Sequence, residues 1–368
     1  MSMGTLFRGE LKKIFARKLI GLSFLLVAAL ILIQQAGPIK DTLSGYVRGM
    51  REVYGRYEGR TINEAFQNEA REDYAEFALS HSEHFNTGYD ENQNAISYSA
   101  KDDGGYYGGV ERAYEALFIG ESVEKLQREN ERLASRRMPL NAYITPTVRY
   151  LGGWDALGRT MGDGYFALFL LVLGLLPLFT QETAARMEGV LLCSKKRGRA
   201  AISKALAAAL FAFIVAMLIY GAETLAIALT YGLNGANAPL AALRGWLADG
   251  TLTVGGYYTL AALATTAAVM ASAALMALAS SLFRQPLAVL GLAGALITAQ
   301  FLPGLLAGGS HLHIFMSLMP APALTSPWEW MGSLTNTKYS IFSLAFPALL
   351  SVLILITAPR CFLRRRKA

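Results

Sequence analysis

Charge is scarce in this chain, and side chains capable of covalent or metal chemistry are scarcer. Of 368 residues only 17% are charged, two are cysteine and four are histidine. Cys193 and Cys361 do not make a disulfide framework, and two such separated thiols are a poor metal set. The histidines are His81, His84, His311 and His313. The last two form an HxH pair in a polar break, too few ligands for a zinc site, so no metal site is expected. Nowhere does GxxxxGK[ST], HExxH or GxSxG occur. A chain without a phosphate-binding loop does not hydrolyse ATP by itself, and the zinc-hydrolase and serine-hydrolase patterns are missing too. The chain is therefore read as a non-enzyme.

Apolar sequence is what the chain has in quantity. It is 53% hydrophobic with positive mean hydropathy, a composition of integral membrane proteins. Uncharged runs reach the roughly 20 residues that a helix needs to cross a bilayer. They predict an all-α integral membrane protein with six transmembrane helices, near 19–36, 164–181, 205–231, 255–282, 286–306 and 340–358. A polar hinge, Phe283-Arg284-Gln285-Pro286, divides the fourth from the fifth, and its proline suits a first helical turn.

The basic residues set the expected orientation. Arg8, Lys12, Lys13, Arg17 and Lys18 precede the first span; Arg360, Arg364, Arg365, Arg366 and Lys367 follow the last. The loops 232–254 and 307–338 hold only Arg244 and Lys338. Both termini are expected in the cytoplasm of a multi-pass protein of a cell membrane, a bacterial plasma membrane being the natural setting. The charges flank spans rather than forming one face, which favours membrane lipid over nucleic acid as their partner. Phe7, Leu11, Ile14 and Phe15 recur at helical spacing among the basic residues, predicting an interfacial amphipathic helix over 1–18; an ordinary basic retention signal is the alternative. The span at 19–36 runs on as QQAGPIKD without a small-x-small site, so it is read as an uncleaved anchor.

Residues 37–163 form a polar insert with 21 acidic and 15 basic side chains. Its net charge of −6 against +7 for the whole chain leaves +13 elsewhere. A long loop crosses regardless of charge, so an extracytoplasmic helical domain is expected, with helices over Arg51–Ala78 and Val110–Arg137 and turns over His81–Gly109. The remaining organisation is a five-helix region over 164–358 and a basic tail over 359–368. Within the spans, Glu223 is a candidate acid of a translocation path; the alternative places it near the outer end, reaching water. Asp163 reads as interfacial, and the Ala, Ser and Thr of Ala261–Ser281 suit close helix packing.

Most informative is QETAARMEGVLLCSKKRGRAAISK, residues 181–204, a charged segment between two apolar runs. Phe179, Glu182, Gly189, Leu191-Leu192, Ser194, Arg199 and Lys204 stand in the order F-x-x-E-x(6)-G-x-L-L-x-S-x(4)-R-x(4)-K. This resembles the cytoplasmic connector of ABC transporter permeases of the type-2 exporter class. The basic N-terminal segment, the insert after the first span, six spans and the Pro-rich MPAPALTSPWEW agree with that resemblance. A proline often found before the arginine is missing from SKKRGR, leaving open whether Arg197 or Arg199 takes the family's role.

The resemblance implies a permease subunit whose connector 182–204 is a coupling helix gripped by a separate P-loop ATP-binding subunit. ATP and magnesium would be bound by that partner, with no cofactor in this chain. A second copy or a related permease would complete the pathway. Glu182, Glu188, Gly189, Arg197, Arg199 and Lys204 are the expected coupling contacts, the acids at the start and the bases at the end suiting a short helix; anchoring of the spans to anionic lipid is the alternative for the lysines and arginines and explains the acids poorly. The cargo implied is hydrophobic, peptide or lipid-like, and the direction is export. A membrane-anchored sensor or scaffold, binding a ligand through the insert, is the alternative. A secondary transporter would want several intramembrane acids or symmetric broken spans, which the chain does not offer.

Overall fold

The structure is a computed structural model that describes residues 3–34, 36–89, 95–118, 147–160, 164–184, 187, 194, 196–238, 240, 253–298, 324 and 340–364. Described elements run α1 (Met3–Phe15), α2 (Lys18–Gln34), α3 (Ala36–Leu43), α4 (Tyr46–Tyr57), α5 (Glu64–Ser80), β1 (Phe85–Tyr89), β2 (Ala95–Ala100), α6 (Tyr106–Phe118) and α7 (Gly152–Thr160). There follow α8 (Gly164–Leu175), α9 (Thr180–Ala184), α10 (Arg197–Thr230), α11 (Val254–Leu282), α12 (Pro286–Thr298) and α13 (Ser340–Arg364). The protein is mostly helical. Among the described residues, four helical stretches are long and apolar enough to cross a membrane: Gly164–Glu182, Arg197–Thr230, Val254–Leu282 and Ala345–Arg364. A fifth results if α1 and α2, bent by 63° at their junction, count as one span. Several such helices in one chain mark a multi-pass membrane protein.

The chain divides into two compact units. One comprises residues 1–32, 159–223 and 259–368, the other 33–158 and 224–258. In the first unit, α8 and α10 approach closely because Gly174 has no side chain; a Cβ there would run into the ring of Phe211. Phe211 in turn meets Phe15 edge-on at 5.6 Å and Phe24 at 6.3 Å. Alanine lines the buried face of α11, including Ala261, Ala264, Ala268, Ala271 and Ala274, as small-residue packing between membrane helices requires. The hinge at Phe283–Gln285 ends α11, and Pro286 opens α12 at the first helical position, where its missing N–H costs nothing. α12 itself covers 13 residues, short of a full span; 299–306 lie outside the described residues.

The second unit holds the folded core of the polar insert. α4, α5 and α6 pack around Tyr57, Phe66, Tyr74, Phe85 and Tyr114. The rings meet edge-on: Tyr57 to Phe66 at 5.4 Å, Tyr74 to Phe85 at 6.0 Å, a favoured quadrupole arrangement. Buried tyrosines need partners for their hydroxyls, and Tyr57 donates to Asp73 while Tyr74 donates to the Tyr98 carbonyl at 3.1 Å. Burial, then the bond to Asp73, pushes the Tyr57 phenol far above its usual range. Glycines let α4 and α6 touch backbone to backbone, since a Cβ on Gly109 would collide with the Tyr46 carbonyl and one on Gly49 with that of Tyr106.

Three expectations for the insert need correction. The segment 81–109 is not only turns: β1 and β2 pair antiparallel with Phe85 opposite Ala100, so the fold is mostly helical rather than all-α. The alternating Phe85 and Thr87 sit where turn residues dominate the composition, which hid the strand. The helix expected over Arg51–Ala78 is broken between α4 and α5, where Gly59 takes φ +82°, open to glycine without steric cost, and Asn63 caps α5 by accepting from the Phe66 N–H at 2.8 Å. The second expected helix begins earlier, at Tyr106, and 119–146 lie outside the described residues. Thr147 and Val148 return to this unit, with Gly59 donating to the Val148 carbonyl and Val148 to that of Arg60, both at 2.9 Å.

Because α4 and α6 meet through backbone, Gly109→Val is expected to destabilise the insert by about 1–3 kcal/mol, the usual cost of overpacking. Hydrogen exchange of the full-length chain in detergent should show lost protection in α4 and α6 but not in α10.

Candidate functional site

Proline is the origin of the candidate site. Pro177 interrupts the Gly164–Glu182 span, because it has no N–H to give the preceding turn. The Leu178 N–H then bonds Leu175 at 2.9 Å, a tightened turn, and the carbonyls around the break need other donors. They find them in side chains from distant parts of the sequence. Arg17 donates to the Gly174 carbonyl at 3.3 Å and to the Gln181 amide oxygen at 2.7 Å. Ser280 of α11 donates to Leu176 at 3.2 Å and accepts from the Phe179 N–H at 3.0 Å. Lys204 donates to the Leu178 carbonyl at 2.8 Å.

Lys204 is the centre of this arrangement. Only 1% of it is exposed. Its ammonium lies 2.8 Å from Glu182 Oε1 and 3.1 Å from Glu10 Oε2, and 5.7 Å from the centre of the Phe179 ring. Two carboxylates and one carbonyl satisfy all three ammonium protons. Lys13, one turn after Glu10 on α1, closes the cluster from the solvent side at 2.7 Å from Glu10 and 3.6 Å from Glu182. Two carboxylates against two ammonium groups give a neutral cluster. An unpaired charge here would be very costly, whereas a paired one is tolerated; Glu182 Oε2 has no hydrogen-bond partner among the described residues. The cluster ties three elements together: α1, the short helix α9 after the break, and α10. Phe362 near the end of α13 packs against Phe179, with ring centres 4.9 Å apart and the rings tilted by 42°.

The residues singled out from the sequence fall into distinct places. Glu182 and Lys204 are buried and bonded to each other, so they face the interior and not the surface where coupling contacts were expected. Arg197 and Arg199 are exposed. They belong to the first turn of α10, which begins at Arg197 rather than near 205. Glu188 and Gly189 lie outside the described residues, as do Asp163, Cys193, His311 and His313. Glu223 is fully buried on α10, nineteen positions beyond Lys204 and therefore roughly 28 Å along the helix, close to one hydrocarbon thickness. His81 and His84 stack on Phe77 and Tyr107 at 4.4 and 4.1 Å, and no group of metal-binding side chains occurs among the described residues. Glu10 was missed. Its signal was available, as a lone acid within a strongly basic amphipathic segment.

A second polar feature belongs to the insert. A cavity of about 320 Å³ is lined by Tyr46, Ser99, Asp103, Glu111, Arg112 and Glu115. Burial raises the Glu111 carboxyl above its ordinary range; the Ala100 N–H, donating at 2.8 Å, opposes this, and neighbouring Glu115 adds to it.

The chain matches no protein-family model, no curated protein and no solved structure. The geometry alone must carry a functional reading.

Two measurements check these electrostatics. Lys204→Met strands two buried carboxylates with only Lys13 beside them, and is expected to cost about 3–5 kcal/mol; adding Glu10→Gln and Glu182→Gln should restore most of it, read as unfolding midpoints in detergent. For Glu111 the folded carboxyl binds its proton more tightly than the unfolded one, so stability falls as pH rises above the ordinary carboxylate range. Glu111→Gln should therefore be more stable than the parent at pH 7 and equal to it at pH 4.

Proposed function

We propose that this chain is the membrane-spanning subunit of an ATP-driven exporter of the type-2 ABC class, coupled through segment 182–204 to a separate P-loop ATPase. The observation that carries this reading is the buried cluster of Lys204, Glu182, Glu10 and Lys13. It clamps the two ends of a surface connector to each other and to the amphipathic helix ahead of the first span. A connector held only by its own backbone would yield under a push. One whose ends are joined by a neutral, water-excluded ion cluster moves with the helices attached to it.

The residues then divide by role. Arg197 and Arg199, exposed at the start of α10, together with Glu188 and Gly189, are the contacts for the ATPase. Glu182 and Lys204 are positioning residues that pass displacement to α1 and α10. ATP and magnesium belong to the partner, and two membrane subunits, identical or related, form the path. Glu223 faces the interior of the helix bundle in this reading, near the outer end. The smooth apolar spans suit hydrophobic, peptide or lipid-like cargo. Both termini lie in the cytoplasm and the insert lies outside, in keeping with the basic ends and the acidic insert.

The polar cavity of the insert favours a second reading, a membrane-anchored sensor that binds a ligand at Glu111 and its neighbours. Removing Arg51–Arg137 separates the two: an exporter keeps ATP-dependent turnover, and a sensor loses its response.

The first test is purification of the tagged chain from its native membrane in mild detergent, with mass spectrometry of what accompanies it. A stoichiometric P-loop ATPase is expected, lost in an Arg197→Gln, Arg199→Gln double variant that still inserts and folds. If no such ATPase accompanies the chain under conditions that preserve a known ABC complex, the exporter reading fails.

A further inference from the structure

A groove on the membrane side of the first unit has the form of a lipid site. It lies between α10 and α13, with a volume of about 410 Å³. Gly198, Ile202 and Leu206 line one wall, and Val352, Ile356 and Arg360 the other. Each set follows i, i+4, i+8, so each wall is a straight ridge about 12 Å long. That length approaches half of the roughly 30 Å hydrocarbon core, the depth of one leaflet. The walls are apolar and open: Ile202 is 46% exposed and Ile356 51%.

The groove's chemistry changes at one end. The start of α10 and the last turns of α13 lie there together, bringing Gly198 beside Arg360. Arg360 is exposed, and its side chain makes no ion pair among the described residues. The first turn of α10 carries Arg197 and Arg199 and no acid. The N-terminal end of a helix favours an anion through its dipole. A Cβ on Gly198 would meet nothing within 4 Å, so space for a headgroup exists. Among the described residues no carboxylate lines the groove. A second copy of the chain meeting this face symmetrically would set these arginines against their own counterparts.

We propose that the groove binds one anionic phospholipid from the leaflet beside the basic chain ends. One acyl chain lies between the two ridges. The phosphate sits against the Arg360 guanidinium, close to the N-terminal end of α10. The guanidinium attracts the net negative charge of the headgroup, an attraction that the quaternary ammonium of a net-neutral choline headgroup offsets. This inference does not depend on the exporter reading, since it uses only the two membrane helices and their charges.

Native mass spectrometry of the full-length chain in mild detergent tests it, using phosphatidylglycerol and phosphatidylcholine with identical acyl chains as probes. One phosphatidylglycerol should be retained in preference to phosphatidylcholine. Arg360→Gln should reduce that preference about fivefold, the effect of one basic residue beside an anionic headgroup, while Arg360→Lys retains most of it. Ile202→Trp, filling the groove, should lower retention of both lipids without loss of helicity. Equal retention of the two headgroups by the parent, or a preference unchanged in Arg360→Gln, overturns the proposal. So does an Ile202→Trp variant that breaks a dimer and leaves lipid retention unaltered, because the occupant is then a second copy. Arg360 is exposed and its replacement leaves packing intact, so that arm decides the matter even if the tryptophan variant misfolds.

Discussion

Lys204 holds this membrane region together because an ammonium ion buried to 1% exposure has to be matched within a few ångströms or the helix carrying it cannot stay where it is. Its partners come from three separated parts of the chain: Glu10 on the first helix, and Glu182 and the Leu178 carbonyl after the break in the Gly164–Glu182 span. The break itself creates the demand. Pro177 leaves carbonyls without helical donors, and Arg17, Ser280 and Lys204 answer with side-chain donors. A local backbone defect is thereby turned into a tertiary joint. The joint is specific, since the single Lys204 ammonium meets two carboxylates and a carbonyl at once, and it is stiff, since water does not reach its centre.

The joint also explains the separation of charges in segment 181–204. Glu182 and Lys204 close the cluster and point inward, while Arg197 and Arg199 lie at the surface. The inward charges fix where the two ends of the segment lie. The first turn of α10 carries bases and no acid of its own, an arrangement that works against the helix dipole.

The insert follows the rules of a water-soluble fold. Its core is built from tyrosine and phenylalanine, whose hydroxyls reach partners at the rim while the rings fill the centre. Glycine contacts between α4 and α6 replace the small-residue packing that alanine supplies in α11. The two units thus reach close packing by the same device, removal of side chains at the contact, in two different solvents.

Spans were legible in the sequence because a 20-residue apolar run has few alternatives in water or lipid. Four of the six expected runs became long helices, and Pro286 began α12 at the position its chemistry demands. The strand pair was not legible, since FNTGY and AISYSA are too polar and too short to stand out among turn residues; pairing against each other is what makes them strands. The start of α10 at Arg197 was hidden for a related reason, as basic residues read as a loop until the apolar helix behind them is seen to continue through them. Glu182 and Lys204 could be picked out as charges between spans, but sequence spacing carries no information about which way a side chain points. Inward placement depended on Glu10, nearly 200 positions away from Lys204, and on a broken helix turning its carbonyls toward the same spot. Composition and local periodicity determined that this is a multi-pass membrane protein with a polar insert. Only the tertiary structure decided which charges brace it and which remain available to partners, because burial and pairing are properties of groups brought together from afar.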